Sequence, residues 1–87
     1  MYDYQTERAA IFTEDGQRMF LSIRDRVRGL LAHSGAARMQ ECIAGESGSS
    51  WQMLACVDRL VELGEIREVT EPGAAIAGQF RVFVRAK

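Results

Sequence analysis

The sequence has few of the residues from which catalytic, metal-binding and membrane-spanning sites are built. Its 87 residues include one histidine, two cysteines and one proline, and no apolar run approaches the roughly 20 residues of a membrane helix. The two cysteines lie fourteen positions apart without a CxxC pair, so no metal-ligand set is evident. There is also no nucleophile–base pair and no phosphate-binding loop. The sequence therefore predicts no catalytic residues, no metal and no cofactor, and a protein that is not an enzyme.

The first residues lack the features of a targeting segment. The stretch MYDYQTERAA contains acids and no apolar run, which is not typical of a signal peptide. Without such a signal, Cys42 and Cys56 fit a reducing compartment, and both are expected to be small buried hydrophobes. We therefore expect a cytoplasmic protein with no membrane partner.

Positive charge is not in excess. The formal net charge is −1, which argues against strong sequence-independent binding to nucleic acid, because such binding depends on neutralising phosphates. Ten of the eleven basic residues are arginine, whose guanidinium contacts phosphate or guanine through two hydrogen bonds. A GC-rich genome, which favours arginine codons, explains the same bias.

The pattern of the chain predicts one domain, residues 1–87, with ordinary hydrophobic (47%) and charged (26%) fractions. Residues 1–12 form an N-terminal arm, in which Ala9-Ala10-Ile11-Phe12 is either a short strand or an extended piece packed on the core. Thr13 then caps a helix that stops at Gly35, since acids follow the cap and apolar residues recur at three- and four-residue steps.

Two further helices are predicted after Gly35. Residues 36–44 predict a short second helix with Met39, Cys42 and Ile43 on one side. A glycine-containing turn leads to a third helix over residues 50–63, where Ser49 with Gln52 three positions later is typical of a capping box.

After Gly64 the hydrophobic period changes from 3.6 to 2. Strands are predicted at residues 65–69 and 79–85, and the loop 70–78 between them makes a hairpin. One face of this hairpin must pack on the helices, because a lone hairpin is marginal in water. Alternation places three residues together on what is expected to be the solvated face: Arg81, Phe83 and Arg85.

The segment VDRLVELGEI, residues 57–66, resembles a junction of the winged-helix branch of the helix-turn-helix superfamily. In that family a leucine near the helix end, three variable residues, a glycine, one residue and an isoleucine join the recognition helix to the first wing strand. Here these positions are Leu60, Gly64 and Ile66. The resemblance covers residues 13–85 and implies an α+β fold, a three-helix bundle with a two-stranded C-terminal wing.

The resemblance also implies roles for the parts of the chain. Residues 50–63 become the recognition helix and the loop 70–78 the wing of a transcriptional regulator that binds double-stranded DNA. A homodimer is expected, because one such domain has too little basic surface to hold DNA tightly alone. Gln52 is able to pair with adenine and Ser50 to reach a phosphate. The candidate DNA-contacting residues are Arg38, Ser49, Ser50, Gln52, Arg59, Arg81 and Arg85.

The composition of the same surface favours a second hypothesis. Residues 45–58 contain two acids and no lysine or arginine, and residues 71–78 contain one acid and no base, whereas a wing entering the minor groove usually carries a base. Trp51 either packs on the first helix or the arm, anchors a protein contact, or touches nucleic acid. A winged-helix protein-interaction module that does not bind DNA therefore stays open as the alternative. Its candidate interface residues are Trp51, Leu54, Ile76 and Phe83.

Overall fold

The fold is an α+β arrangement in which helices pack on one side of a small antiparallel sheet. We describe it from a computed structural model, and the residues it describes are 1–70 and 80–86. Over these residues the elements in chain order are α1 (Tyr4–Glu7), a 3-10 helix (Arg8–Phe12), α2 (Glu14–Ser34), β1 (Ala36–Arg38), α3 (Met39–Cys42), α4 (Ser50–Glu62), β2 (Ile66–Glu68) and β3 (Val82–Arg85).

The long helix α2 begins and ends where the sequence predicts. The Thr13 hydroxyl accepts a hydrogen bond from the backbone N–H of Gly16 at 3.0 Å, which satisfies one of the free amides of the first turn. Gly35 ends the helix with φ 79°, a left-handed conformation that L side chains rarely adopt. Its buried face is made by Phe20, Ile23, Val27 and Leu31.

The N-terminal arm is helical, so neither a short strand nor an extended piece over residues 9–12 is correct. Its 3-10 helix buries Ile11 completely and lies against the start of α2. A Cβ atom added at Gly16 would meet the carbonyl oxygen of Ala10 at 1.9 Å, so only glycine permits this approach. A four-residue strand would leave backbone groups unpaired, whereas a 3-10 turn satisfies them locally.

The second helix predicted over residues 36–44 is largely wrong. Residues Ala36–Arg38 form β1, which pairs antiparallel with β3 and places Ala37 opposite Phe83. The helical part is only the single turn Met39–Cys42. A three-residue strand has no periodicity of its own, and its conformation is set by the partner strand.

The C-terminal half follows the prediction more closely. α4 begins at Ser50, and the Ser49 hydroxyl accepts a hydrogen bond from the backbone N–H of Gln52 at 3.4 Å. After α4, Gly64 has φ 78°, and the chain turns into β2. Both β2 and β3 form, but the sheet has three strands in the order β1-β3-β2, one more than the predicted two-stranded hairpin.

The faces of β3 are the reverse of those expected. Phe83 is fully buried, whereas Phe80 just before the strand is 48% exposed. The face that carries Arg81, Phe83 and Arg85 packs towards the helices, since Arg81 pairs with α4 and Arg85 lines a cleft with α2 and α4. The prediction that Phe83 lies at a partner surface is therefore wrong. The small side chain of Ala37, opposite Phe83, leaves room for the ring in the core.

Two features of the described ranges bear on the classes of protein considered above. No helix in them combines the length and the hydropathy needed to cross a membrane. The same ranges contain no group of three or more histidine, cysteine or acidic side chains placed to hold a metal ion. The predicted interface residue Ile76 and most of the predicted loop 70–78 lie outside the described residues.

Candidate functional site

The candidate site is the face of α4 that carries Trp51. Helical spacing places Trp51, Ala55, Asp58 and Glu62 on this face, while Met53, Cys56, Val57 and Leu60 are buried on the other. The face is not open along its whole length. Ala55 is 0% exposed, so another part of the chain covers the middle of it.

The N-terminal segment packs on α4 and bonds to the second half of this face. The Tyr2 hydroxyl donates a hydrogen bond to Oδ2 of Asp58 at 2.6 Å, and the Tyr4 hydroxyl donates one to Oε1 of Glu62 at 2.7 Å. Burial and the hydrogen bond to Asp58 raise the pKa of Tyr2 above its usual value. Hydrogen bonds from Tyr4 and Arg59 lower the pKa of Glu62 to about 2. Contacts from the first four residues therefore hold the second half of the α4 face.

Arg59 is part of the same cluster rather than a free cation. Its guanidinium lies over the Phe12 ring, 5.1 Å from the centroid, and Arg8 lies over the same ring at 5.0 Å. Both arginines also pair with Glu62, at 2.7 and 3.0 Å. A guanidinium held by a carboxylate and an aromatic ring has little capacity left for a phosphate.

Arg81 is held in a similar way on the sheet side of α4. It pairs with Asp58 and with Glu68, both at 2.7 Å, and its side chain is 17% exposed. Its guanidinium also lies 5.2 Å from the centroid of the Phe83 ring. Arg81 thus covers Phe83, the residue for which the sequence predicted a partner contact. Two carboxylates offset the charge of Arg81.

The first turn of α4 is the part of the face that stays open. Ser49 and Ser50 are exposed and Trp51 is 44% exposed, while Gln52 is half-buried. Leu54 is also half-buried and packs against the core cluster. The structure therefore brings three of the seven candidate DNA contacts together here, beside Trp51: Ser49, Ser50 and Gln52.

A groove of about 520 Å³ runs beside this turn, between α2 and the loop before α4. Gln52 lines it together with Asp15, Arg18 and Glu46. Arg18 pairs with Asp15 at 2.9 Å, and Glu46 pairs with Arg26 at 3.0 Å. Hydrogen bonds from Ser22 and from that arginine lower the pKa of Glu46. The surroundings of Gln52 are consequently near neutral, not positive.

The remaining candidates lie elsewhere. Arg38 is exposed at the end of β1, where its backbone N–H donates to the Glu41 carboxylate at 2.9 Å. Arg85 is exposed at the end of β3. Neither side chain forms an ion pair with another described residue. Both belong to the sheet and not to α4.

The two cysteines are buried, as predicted for small hydrophobic core residues. Cys42 and Cys56 are both fully buried and unpaired with each other. Burial raises the pKa of the Cys42 thiol to about 11 and that of the Cys56 thiol to about 12. Thiols of this kind carry almost no thiolate, the nucleophilic form, at neutral pH.

Sequence reasoning missed the residues that cover α4. They are Tyr2, Tyr4, Arg8 and Phe12, all in the N-terminal arm, and their partners on α4 include Glu62. The signal available in the sequence was the number of aromatic residues in a polar arm, which indicates docking on the domain. What they dock on could not be derived, because the partners lie more than fifty residues away in the chain.

Comparison of the chain with protein-family models, with curated proteins and with solved structures found no match in any of the three.

Proposed function

We propose that this chain is a winged-helix domain. The order α2, α3, turn, α4, β2, β3 supports the proposal, as does the junction after α4. There Leu60 and Ile66 are buried on either side of Gly64, whose φ of 78° reverses the chain. The strand β1 is an addition to the arrangement expected from the sequence.

The function we propose for it is protein binding through the first turn of α4. The observation behind this proposal is that other parts of the same domain already contact most of the α4 face. Ala55 is buried, and Arg59 and Arg81 are each bound to carboxylates of the same domain. Affinity for nucleic acid depends on cations free to neutralise phosphates, and this face offers none among the residues described.

Trp51 is the anchor of the proposed contact. Tryptophan is enriched among residues that dominate binding energy, because it buries a large area with few rotatable bonds. The first turn around it (Ser49, Ser50, Trp51 and Gln52) carries no charged side chain. Two such surfaces carry no charge with which to repel each other, so we take a second copy of the chain as the partner.

A DNA-binding regulator is the second candidate. It is favoured by one observation, the exposure of Ser49 and Ser50 at the N-terminus of a 13-residue helix. Backbone N–H groups and hydroxyls at such a position suit a phosphate.

The experiment uses Trp51 as its own reporter, since it is the single tryptophan of the chain. We expect sedimentation equilibrium to show a dimer, and tryptophan emission to shift to shorter wavelength as protein concentration rises. Trp51→Ala is expected to give a folded monomer. The matched control Phe80→Ala removes a similarly exposed aromatic that lies just before β3 and is expected to leave the dimer intact. A dimer that survives in Trp51→Ala refutes the proposed surface.

A DNA titration separates the two candidates. We expect no binding to a random duplex at low salt. Binding that weakens steeply with added salt and is lost in Ser50→Asp, but not in Trp51→Ala, makes the regulator the correct function and the protein-binding proposal wrong.

A further inference from the structure

A cleft at the other end of α4 combines an apolar floor with a rim of arginines. It has a volume of about 360 Å³ and lies between α2, α4, β2 and β3. Val27 and Leu60 form part of the floor and are both 1% exposed. Leu60 lies nine residues after Trp51, about 13 Å along the helix axis, so this cleft is separate from the proposed protein-binding surface.

The rim carries more positive than negative charge. Arg24, Arg28 and Arg85 line the cleft, against the single carboxylate of Glu65. Glu65 pairs with Arg28 at 2.9 Å. Arg24 pairs with the neighbouring Asp25 at 3.1 Å, but that carboxylate is 68% exposed and does not line the cleft. Arg85 has no ion-pair partner within ranges 1–70 and 80–86.

We propose that this cleft binds a small carboxylate with a compact apolar body. The carboxylate would lie against Arg85, because a guanidinium presents two parallel N–H donors that match a carboxylate. The apolar body would lie over the floor near Val27 and Leu60, where removal of the ligand's own apolar area from water supplies the affinity. A volume of about 360 Å³ is at the small end of the range for ligand pockets.

The apolar floor excludes ligands that are polar throughout. A sugar phosphate or an inorganic anion would leave polar groups facing Val27, Leu60 and Ile66, without hydrogen-bond partners there. An uncharged apolar ligand would desolvate the rim without pairing with it. Only a molecule with both features satisfies both parts of the cleft.

The test compares two probes of nearly equal shape. The carboxylate probe is 3-phenylpropionate, and the control is 3-phenylpropionamide, which lacks the charge. In two-dimensional NMR titrations we expect saturable shifts at Val27, Leu60 and Ile66 with the carboxylate, and binding about tenfold weaker with the amide. Equal affinities for the two probes overturn the proposal, and so does the absence of shifts at these three residues up to the solubility limit.

Two arginine variants test whether the carboxylate of the ligand binds at Arg85. Arg85→Gln is expected to weaken 3-phenylpropionate binding about tenfold. Arg67→Gln is the matched control, because Arg67 is exposed on the neighbouring strand β2 and does not line the cleft; its affinity is expected to equal that of the wild type. Both side chains are exposed, so both variants are expected to unfold at the wild-type temperature. An equal effect of the two substitutions shows a general charge effect and refutes the site.

Discussion

Replacing Gly16 with alanine tests the contact on which the N-terminal cover of α4 depends. Gly16 lies in the first turn of α2, directly against the 3-10 helix. An alanine Cβ there would lie 1.9 Å from the carbonyl oxygen of Ala10 and 2.7 Å from that of Ile11. Both are backbone atoms, so no side-chain rotation relieves the overlap, and the 3-10 helix has to move.

The expected loss follows from what that movement removes. Burial of an isoleucine side chain stabilises a fold by roughly 1.5–3 kcal/mol, and Ile11 is fully buried. The hydrogen bonds that Tyr4 and Arg8 donate to Glu62 are exposed to solvent, so their loss adds little. Alanine offsets about 1 kcal/mol of this as the better helix former. The free energy of unfolding of Gly16→Ala is therefore expected to fall by about 0.5–2 kcal/mol.

The same helix provides the control. A Cβ added at Gly29 meets nothing within 4 Å, so Gly29→Ala is expected to stabilise the protein by about 0.5–1 kcal/mol. Urea unfolding followed by circular dichroism measures both variants. The slope against urea should also be smaller for Gly16→Ala, because less surface remains to be exposed. If Gly16→Ala proves as stable as Gly29→Ala, the 3-10 helix does not pack on α2 as described. The description of the N-terminal arm packed on α4 would then be wrong as well.

Two further predictions concern the acid range and the sheet. Folding lowers the pKa of Glu62 from 4.5 to about 2, so its stabilising contribution is present above pH 4.5 and is lost as the pH falls towards 2. Urea unfolding over that range should show a smaller loss of stability with falling pH for Glu62→Gln than for the wild type. Parallel plots of stability against pH for the two proteins would contradict the pairing. Phe83→Ala should cost about 3–5 kcal/mol and Phe80→Ala less than about 0.5 kcal/mol, as measured by thermal unfolding; similar losses would show that Phe83 is not the inward side chain.

Local signals were sufficient for the two longer helices. The cap of α2 involves Thr13 and Gly16, and that of α4 involves Ser49 and Gln52. Each pair lies three residues apart, so the sequence contains all the atoms that decide the cap. The apolar stripes that follow are equally local, and they predicted most of the core that the helices contribute.

The candidate site could be located only in part. The sequence indicated the open first turn of α4, where Trp51 is exposed as the interface hypothesis required. It also proposed Arg59 and Arg81 as DNA contacts, whereas the structure holds both in ion pairs within the domain. Their partners are Glu62, within one turn, and Asp58 and Glu68, and the sequence does not show which of several nearby carboxylates an arginine will choose.

The sequence by itself determined the positions of α2 and α4, the chain reversals at Gly35 and Gly64, and the burial of the cysteines. Only the tertiary structure decided which face of β3 turns inward, because a strand of period 2 presents two faces and the elements packed on it choose between them. It also decided what covers α4, since Tyr2 and Asp58 lie 56 residues apart in the chain. Contacts at that separation form only when the whole domain brings both ends of the sequence together.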